Sequence, residues 1–339
     1  RIFKVMTEIK IAGKTISHRH RPFVIAEMSG NHNQSLDRAF AIVDAAAAAG
    51  ADAIKLQTYT ADTMTIKGAY TISDDKSLWH GKELHDLYKL AYTPWEWHQA
   101  IFERAAEKGL VAFSSPFDST AVDFLENLNV PVYKVASFEN TDHPLLKRIA
   151  KTGKPVIMST GVSTLADIYE SVQVLKENGC KQLVLLKCTS TYPATPETTN
   201  LMTIPVLKDI FGGWLVGLSD HTMAVGAAIA SVALGARVIE KHFTLRRADG
   251  GVDSTFSLEP EELKSLVIEC ERAFLALGHV NFDILDAEKN SKTFKRSIYV
   301  AEDVREGELL SRNNLKVIRP GDGLEPKFYE SLLGIAVKK

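Results

Sequence analysis

A chain of 339 residues exceeds one ordinary domain, and a barrel of roughly 250 residues with an appendage of about 50 accounts for it. With 40 Lys and Arg against 42 Asp and Glu, the formal charge of -2 leaves no basic footprint for nucleic acid, so no such partner is expected. The composition, 45% hydrophobic and 24% charged, is that of a globular protein, and no apolar run approaches the roughly 20 residues of a membrane helix, so no membrane partner is expected either.

The first residues, RIFKVMTEIKIAG, hold no apolar export core and no cleavage signature, and a cytoplasmic location is expected. EIKIAGKTI reads as a small hairpin turning at Ala12-Gly13, suited to plugging one end of a barrel. From there, short apolar, β-branched runs alternate with amphipathic helical stretches, the pattern of a parallel sheet wrapped by helices. Eight such runs occur: FVIAE (23–27), DAIKLQ (52–57), LVAFSS (110–115), VYKVAS (132–137), PVIMST (155–160), QLVLLK (182–187), WLVGLS (214–219) and ARVIEKH (236–242). Eight βα units predict an α/β fold, a closed (β/α)8 TIM barrel.

Ser163 or Thr164 opens one helix, closed by Gly179, and Pro260 with Glu261 and Glu262 opens the last. One connection is long: about 35 residues separate the second strand from the helix near Pro94, with Tyr59, Tyr70, Trp79, His80, His85 and Tyr88 among them. It reads as a lid over the site, the alternative being a surface excursion that packs the barrel. Beyond residue 282 short strands and turns replace the βα pattern. The expected domains are therefore a barrel with its hairpin over 1–282 and a compact β-rich domain over 283–339. Cys180, Cys188 and Cys270 form neither a disulfide framework nor a paired metal motif and read as reduced core residues.

Barrels of this kind carry their active sites at the C-terminal ends of the strands. Here nearly every strand ends in polar residues: Glu27; Lys55 and Gln57; Ser114 and Ser115; Lys134 and Ser137; Ser159 and Thr160; Ser190 and Tyr192; Ser219, Asp220 and His221; Glu240 and His242. A strand-end serine can equally cap the next helix. A lysine aimed into a barrel mouth is different, because burial unpaired costs several kcal/mol. Lys55 and Lys134 ringed by hydroxyls therefore describe a pocket for a carboxylate or phosphate. His221 and His242 close neighbouring strands and can converge on one ion, with Glu27 entering from the first strand as an oxygen ligand; that set suits Mn²⁺, Mg²⁺ or Zn²⁺. The competing reading is two core histidines satisfied by hydrogen bonds.

The stretches AEMSGNHNQSL (26–36), GADAIKLQTY (50–59), SSPFD (114–118), YKVASFE (133–139), MSTG (158–161), CTSTYPATPE (188–197), GLSDHT (217–222), EKHFT (240–244), GGVDSTFSLEP (250–260) and IRPGDGL (318–324) mark a resemblance to the sialic acid (nonulosonic acid) synthase family over almost the whole chain. Members of that family condense phosphoenolpyruvate with an amino sugar. The resemblance implies that Lys55, Ser115, Lys134, Ser137, Ser159 and Ser219 bind phosphoenolpyruvate. It places His221 and His242 on a divalent metal, Mn²⁺ or Mg²⁺, with Glu27 and His242 catalytic and Gln57, Tyr192, Glu240 and Asp253 around the sugar. It makes the C-terminal part an antifreeze-like (SAF) domain that caps the partner's barrel in a domain-swapped homodimer and brings Arg319 to the neighbouring sugar site. Ser190 in CTSTYP and the loop RRADGGVDSTFSLEP look more like the pseudaminic acid synthases, which act on a 2,4-diacetamido-2,4,6-trideoxy hexose, than the N-acetylneuraminate or legionaminate synthases.

Three other readings are to be set against this one: a metal-dependent amidohydrolase or aldolase on the same fold, a keto-acid sugar-phosphate synthase, and a sugar-binding scaffold without turnover. The 250–258 loop shows no extra cation cluster for a phosphorylated acceptor, and a scaffold has no use for a metal pair beside an anion cradle.

Overall fold

The computed structural model describes residues 8–75, 77 and 79–338. The chain forms two compact units, Arg1–Gly278 and His279–Lys339.

In the first unit, β1 (Glu8–Ile11) and β2 (Lys14–Ser17) pair antiparallel, with Ala12 and Gly13 at φ 47° and 82°, the left-handed pair that a two-residue hairpin turn requires. Eight parallel strands then close into a barrel: β3 (Phe23–Glu27), β4 (Ala53–Thr58), β5 (Val111–Pro116), β6 (Tyr133–Val135), β7 (Val156–Ser159), β8 (Leu183–Cys188), β9 (Leu215–Asp220) and β10 (Val238–His242), the last pairing back onto β3. All eight runs read from the sequence are strands of this barrel.

The helices lie outside. After β3 comes α1 (Leu36–Ala48), and after β4 come α2 (Ala61–Met64), α3 (Leu84–Ala91) and α4 (His98–Glu107). α5 (Ser119–Asn127), α6 (His143–Ala150) and α7 (Leu165–Glu177) follow β5, β6 and β7. α8 (Pro196–Thr199) and α9 (Thr203–Ile210) follow β8, α10 (Gly226–Ala233) follows β9, and α11 (Pro260–Leu277) follows β10. Thr164, rather than Ser163, caps α7 in a reciprocal box with Asp167; the Ser163 hydroxyl donates instead to Asn140 Oδ1 at 2.7 Å.

The two-residue period of a strand sorts side chains between two cores. Phe23, Ile25, Ala53, Val111, Phe113, Val132, Ile157, Val184, Leu186, Leu215 and Val238 point inward and meet Ile9, Ile11 and Ile16 of the hairpin, which fills the N-terminal end of the barrel as the expected plug. Burial of each large aliphatic side chain is worth roughly 1.5–3 kcal/mol, enough to hold a two-strand hairpin that is marginal alone. Alternate residues such as Val24, Ile54, Val135, Met158, Leu218 and Ile239 point outward under the helices. Gly217 takes an inward position where a Cβ would run into the Val238 carbonyl oxygen and the Leu186 side chain.

Both ends of the long segment after β4 are pinned by buried neutral histidines. His98 donates from Nδ1 to the Pro94 carbonyl at 3.2 Å, so its Nε2 accepts from Thr58 Oγ1 at 2.8 Å, and Thr58 in turn meets Ser114 Oγ at 2.6 Å. His32 accepts from the Gln34 amide at 3.1 Å and pairs with Thr93 Oγ1 at 3.2 Å.

In the second unit, β11 (Ser297–Val300) pairs antiparallel with β12 (Leu315–Ile318), and Ile298 and Leu315 are its buried aliphatics; a short helix, α12 (Tyr329–Leu332), follows. No described helix is long and apolar enough to cross a membrane.

Burial pushes both His32 and His98 down from 6.5 to about 4. Between those values the unfolded chain binds protons that the folded chain refuses, so their contribution is complete above pH 6.5 and is lost as pH falls toward 4, by about 3 kcal/mol per histidine. Urea midpoints at pH 7.5 and 4.5 measure the loss, and His98→Gln is expected to reduce it.

Candidate active site

The inward stripe of each strand changes character at its last positions. Above the apolar layers, β3 ends in Glu27, β4 carries Lys55 and Gln57, β6 Lys134, β7 Ser159, β9 Ser219, and β10 Glu240 and His242, while His221 follows β9. Parallel pairing sets Glu27 opposite both Lys55 and His242, and Ser219 opposite Glu240. With Ser137, Tyr192 and Asp253 these residues line one cavity of about 390 Å³.

The floor of the cavity is a cluster of four charges, none of whose side chains is more than 5% exposed. Lys55 Nζ lies 2.7 Å from Glu27 Oε2 and 3.5 Å from Glu240 Oε1, and donates to Ser115 Oγ at 3.3 Å. Lys134 Nζ donates to Ser159 Oγ at 2.7 Å and lies 3.8 Å from Glu240 Oε1. Burial pushes the Glu27 carboxyl up to about 7 against the pull of Lys55, and the charge of Glu240 adds to the rise. Burial acts on Glu240 the same way, but Lys134 and Lys55 outweigh it and hold that carboxyl below its usual range. Burial, helped by the charge of Lys55, pulls Lys134 down against Glu240. Two ammonium groups under hydroxyl donors, balanced by carboxylates one of which takes a proton near neutrality, form a seat for a multiply charged anion.

Beside this floor the His221 and His242 rings face each other at 5.2 Å between centroids. His221 donates from Nδ1 to the Thr189 carbonyl at 2.9 Å, which leaves the Nε2 lone pair open. His242 is held neutral, well below its ordinary value, by burial and then by the nearby His221, and its buried Nδ1 has no hydrogen-bond partner. Burial pulls His221 down, but Cys188 and the Thr189 carbonyl outweigh it and hold that ring above its usual value, so His221 frees its Nε2 lone pair by giving up a proton; with the neutral His242 it makes a donor set that fits a divalent ion.

Several expected members lie elsewhere. Glu27, expected as an oxygen ligand beside the imidazoles, has its carboxylate on Lys55 and on Gln57 Nε2, the latter at 2.9 Å. No group of three possible metal ligands occurs among the described residues. Ser115 sits behind Lys55 rather than on the cavity wall. Ser114, Thr160 and Asp220 fall on the outward stripe or in backbone contacts, bonded to Thr58, the Leu186 carbonyl and Lys241. Arg319 follows β12 in the second unit, with an exposed side chain.

Two residues that the sequence does not single out, and Cys188, which reads there as a core residue, belong to the cavity. Ser29, at φ 48°, bonds to Asp253 and accepts from Gln57 Nε2 at 3.3 Å. Glu139, in a single turn after β6, has a buried Oε2 without a partner, and burial pushes its carboxyl up to about 7 against the pull of Lys134. Cys188 ends the inward stripe of β8, 3.9 Å from His221 Nδ1. The segment after β4 lines the cavity too, as a lid would, through Met64, Ile72, Trp79, Leu84, Leu87 and Tyr88.

Comparison with known proteins follows the same division. Residues 42–282 match the NeuB family and residues 295–339 the SAF domain. The chain is 44% identical to the pseudaminic acid synthase of Campylobacter jejuni, over 94% of this chain and 92% of that protein. Identity to the N,N'-diacetyllegionaminic acid synthase of the same species is 37%, over 94% of this chain and 96% of that one. The crystal structure of an N-acetylneuraminic acid synthetase from Leptospira borgpetersenii in complex with citrate superposes with a TM-score of 0.76 at 31% identity, covering 84% of this chain and 95% of that one.

Directly behind the two imidazoles, on the helix-facing side, Lys241 Nζ pairs with Asp220 Oδ2 at 3.1 Å and donates to the Thr222 carbonyl, and Asp220 Oδ1 accepts from the Thr222 amide at 2.9 Å. This pair locks together the two residues that precede His221 and His242. Lys241→Met leaves Asp220 buried and unpaired and is expected to cost about 3–5 kcal/mol in equilibrium unfolding, most of it recovered in the double variant with Asp220→Asn.

Proposed function

The chain belongs to the NeuB family, and on that basis we propose that it condenses phosphoenolpyruvate with a 2,4-diacetamido-2,4,6-trideoxy hexose and water, giving pseudaminic acid and phosphate. The observation that carries this reading is the buried floor of Lys55 and Lys134, set directly beside the paired imidazoles. One substrate of such a reaction is a small, multiply charged anion and the other is an aldehyde, and the two must meet.

Phosphoenolpyruvate lies on Lys55 and Lys134, with Ser137, Ser159 and Ser219 donating to its carboxylate and phosphate oxygens and Ser115 steadying Lys55 from behind. The open-chain sugar lies above it, held by Gln57, Tyr192, Glu240 and Asp253. His221 and His242 would hold a divalent ion, Mn²⁺ or Mg²⁺, which would supply Lewis-acid polarisation of the aldehyde. C3 of phosphoenolpyruvate bonds to the aldehyde carbon, whose oxygen takes up a proton to become a hydroxyl. Water adds at C2, and Glu27, with an affinity near neutrality, faces the cationic centre and takes the water's proton. The C2–O bond to phosphate then breaks as the new C2 hydroxyl gives its proton to the departing phosphate and becomes the keto oxygen, and the phosphate leaves into the lysine floor that stabilises its charge.

A second copy of the chain completes the sugar site by bringing in its Arg319, in a domain-swapped homodimer. The run after α11 supports this reading, since its apolar residues Val280 and Phe282 are 85% and 97% exposed. The three cysteines, all unpaired, fit the reducing cytoplasm as its place of action.

Phosphate release is the common readout. Activity above that with N-acetylmannosamine is expected for 2,4-diacetamido-2,4,6-trideoxy hexoses; the reverse preference would overturn the acceptor assignment. Glu27→Gln is expected to lower kcat roughly 10²- to 10⁴-fold and to remove the fall in rate below about pH 7 that protonation of this carboxyl causes. Chelation should abolish turnover, with Mn²⁺ restoring it, and Mn²⁺ binding measured by calorimetry should vanish in His221→Ala.

A further inference from the structure

The cavity has a wall to which the chemistry above gives no task. Opposite the charged floor, Met64, Ile72, Trp79, Leu84 and Leu87 of the lid segment, with Val252 from the loop after β10, line the same space. No polar group is open on this wall among these six: the Trp79 Nε1–H donates to the Val252 carbonyl at 3.2 Å, and the ring packs 5.9 Å from that of Tyr192. The wall is also fixed in place. Gly30, at the exit of β3, sits where a Cβ would run into Val252 and close on Ala91, so the exit of β3, the end of α3 and the loop after β10 pack closely there. At its base, Thr71 bridges to Glu83, and His85 Nε2 pairs with Asp62 Oδ1 at 2.8 Å. Phosphoenolpyruvate, with nothing apolar larger than a methylene, has no use for such a surface.

Resting on the reaction proposed above, we infer that this wall is the subsite for the C6 methyl group of the acceptor and selects 6-deoxy sugars against their 6-hydroxy counterparts. The aldehyde at C1 is fixed beside His221 and His242, over the lysine floor. The other end of the open chain then points away from the floor and meets the lid. A methyl group there replaces water against Met64, Ile72 and Leu84 and gains by it. A hydroxyl in the same place gives up its water partners and finds no donor or acceptor in return. Discrimination by such a pocket is modest, of the order of 10- to 200-fold in kcat/KM, because an apolar wall rejects a hydroxyl only through lost hydration.

The test follows phosphate release with a 2,4-diacetamido-2,4,6-trideoxy hexose and with the same sugar bearing a 6-hydroxyl, in the wild-type chain and in Ile72→Asn and Leu84→Gln. The wild type is expected to favour the deoxy sugar roughly 10- to 200-fold, and each variant to narrow that ratio about tenfold, losing on the deoxy sugar and gaining on the hydroxy sugar. The KM for phosphoenolpyruvate, bound at the opposite wall, reports that each variant is folded. Equal kcat/KM for the two sugars in the wild type overturns the subsite and leaves the reaction standing. A parallel loss on both sugars in the two variants does the same. Absence of phosphate release with either sugar overturns both.

Discussion

Four buried charges at the mouth of the barrel, Lys55, Lys134, Glu27 and Glu240, set the terms for everything around them. Taking an ion out of water costs several kcal/mol even after relaxation, and only close, hydrogen-bonded opposite charges offset that. The floor meets this condition with separations of 2.7–3.8 Å between ammonium nitrogens and carboxylate oxygens. It does so incompletely: Glu240 keeps a buried oxygen without a hydrogen-bond partner, and Glu27 is driven toward protonation. A site that is balanced but not saturated is one that an incoming anion improves. The apolar layers beneath and the helices outside supply the stability that makes such a floor tolerable.

The same two-residue alternation that builds the barrel also divides its labour. Inward residues are apolar low in the barrel and charged at the top, so one stripe is core at one end and chemistry at the other. The outward stripe is mostly apolar under the helices; on β9 and β10 Asp220 and Lys241 interrupt it with an ion pair that fixes the neighbouring imidazoles from behind. The polar floor and the apolar lid then face each other across one cavity, each suited to a different part of what binds there.

Most of the barrel was legible because β-branched runs and helical stretches alternate eight times, and the hairpin announced itself through Ala12-Gly13. The two lysines and the two histidines were legible because ionisable groups at strand ends have few other uses. What strand position alone does not carry is parity. Ser114 was grouped with Ser115, and Asp220 with Ser219 and His221, although one step along a strand moves a side chain from the mouth to the helix-facing side. Glu27 was expected beside the imidazoles because β3 adjoins β10, and register does set it opposite His242; what strand order did not show is that Lys55 and Gln57 take its carboxylate. Glu139 escaped notice because it sits in a single turn beyond a strand end, and Ser29 because its left-handed backbone leaves no trace in a serine. The long segment after β4 stood out by length, while its apolar face emerged only once the segment was folded over the cavity.

The hairpin that fills the lower end of the barrel also governs traffic. With Ile9, Ile11 and Ile16 packed into the strands' inner layers, nothing enters or leaves from below. Whatever rests on Lys55 and Lys134 is at the bottom of a closed well, and a sugar lying above it blocks the way out. For the reaction proposed above, such a well would impose a queue: the anion before the sugar, and the phosphate released beneath a bulky product after it.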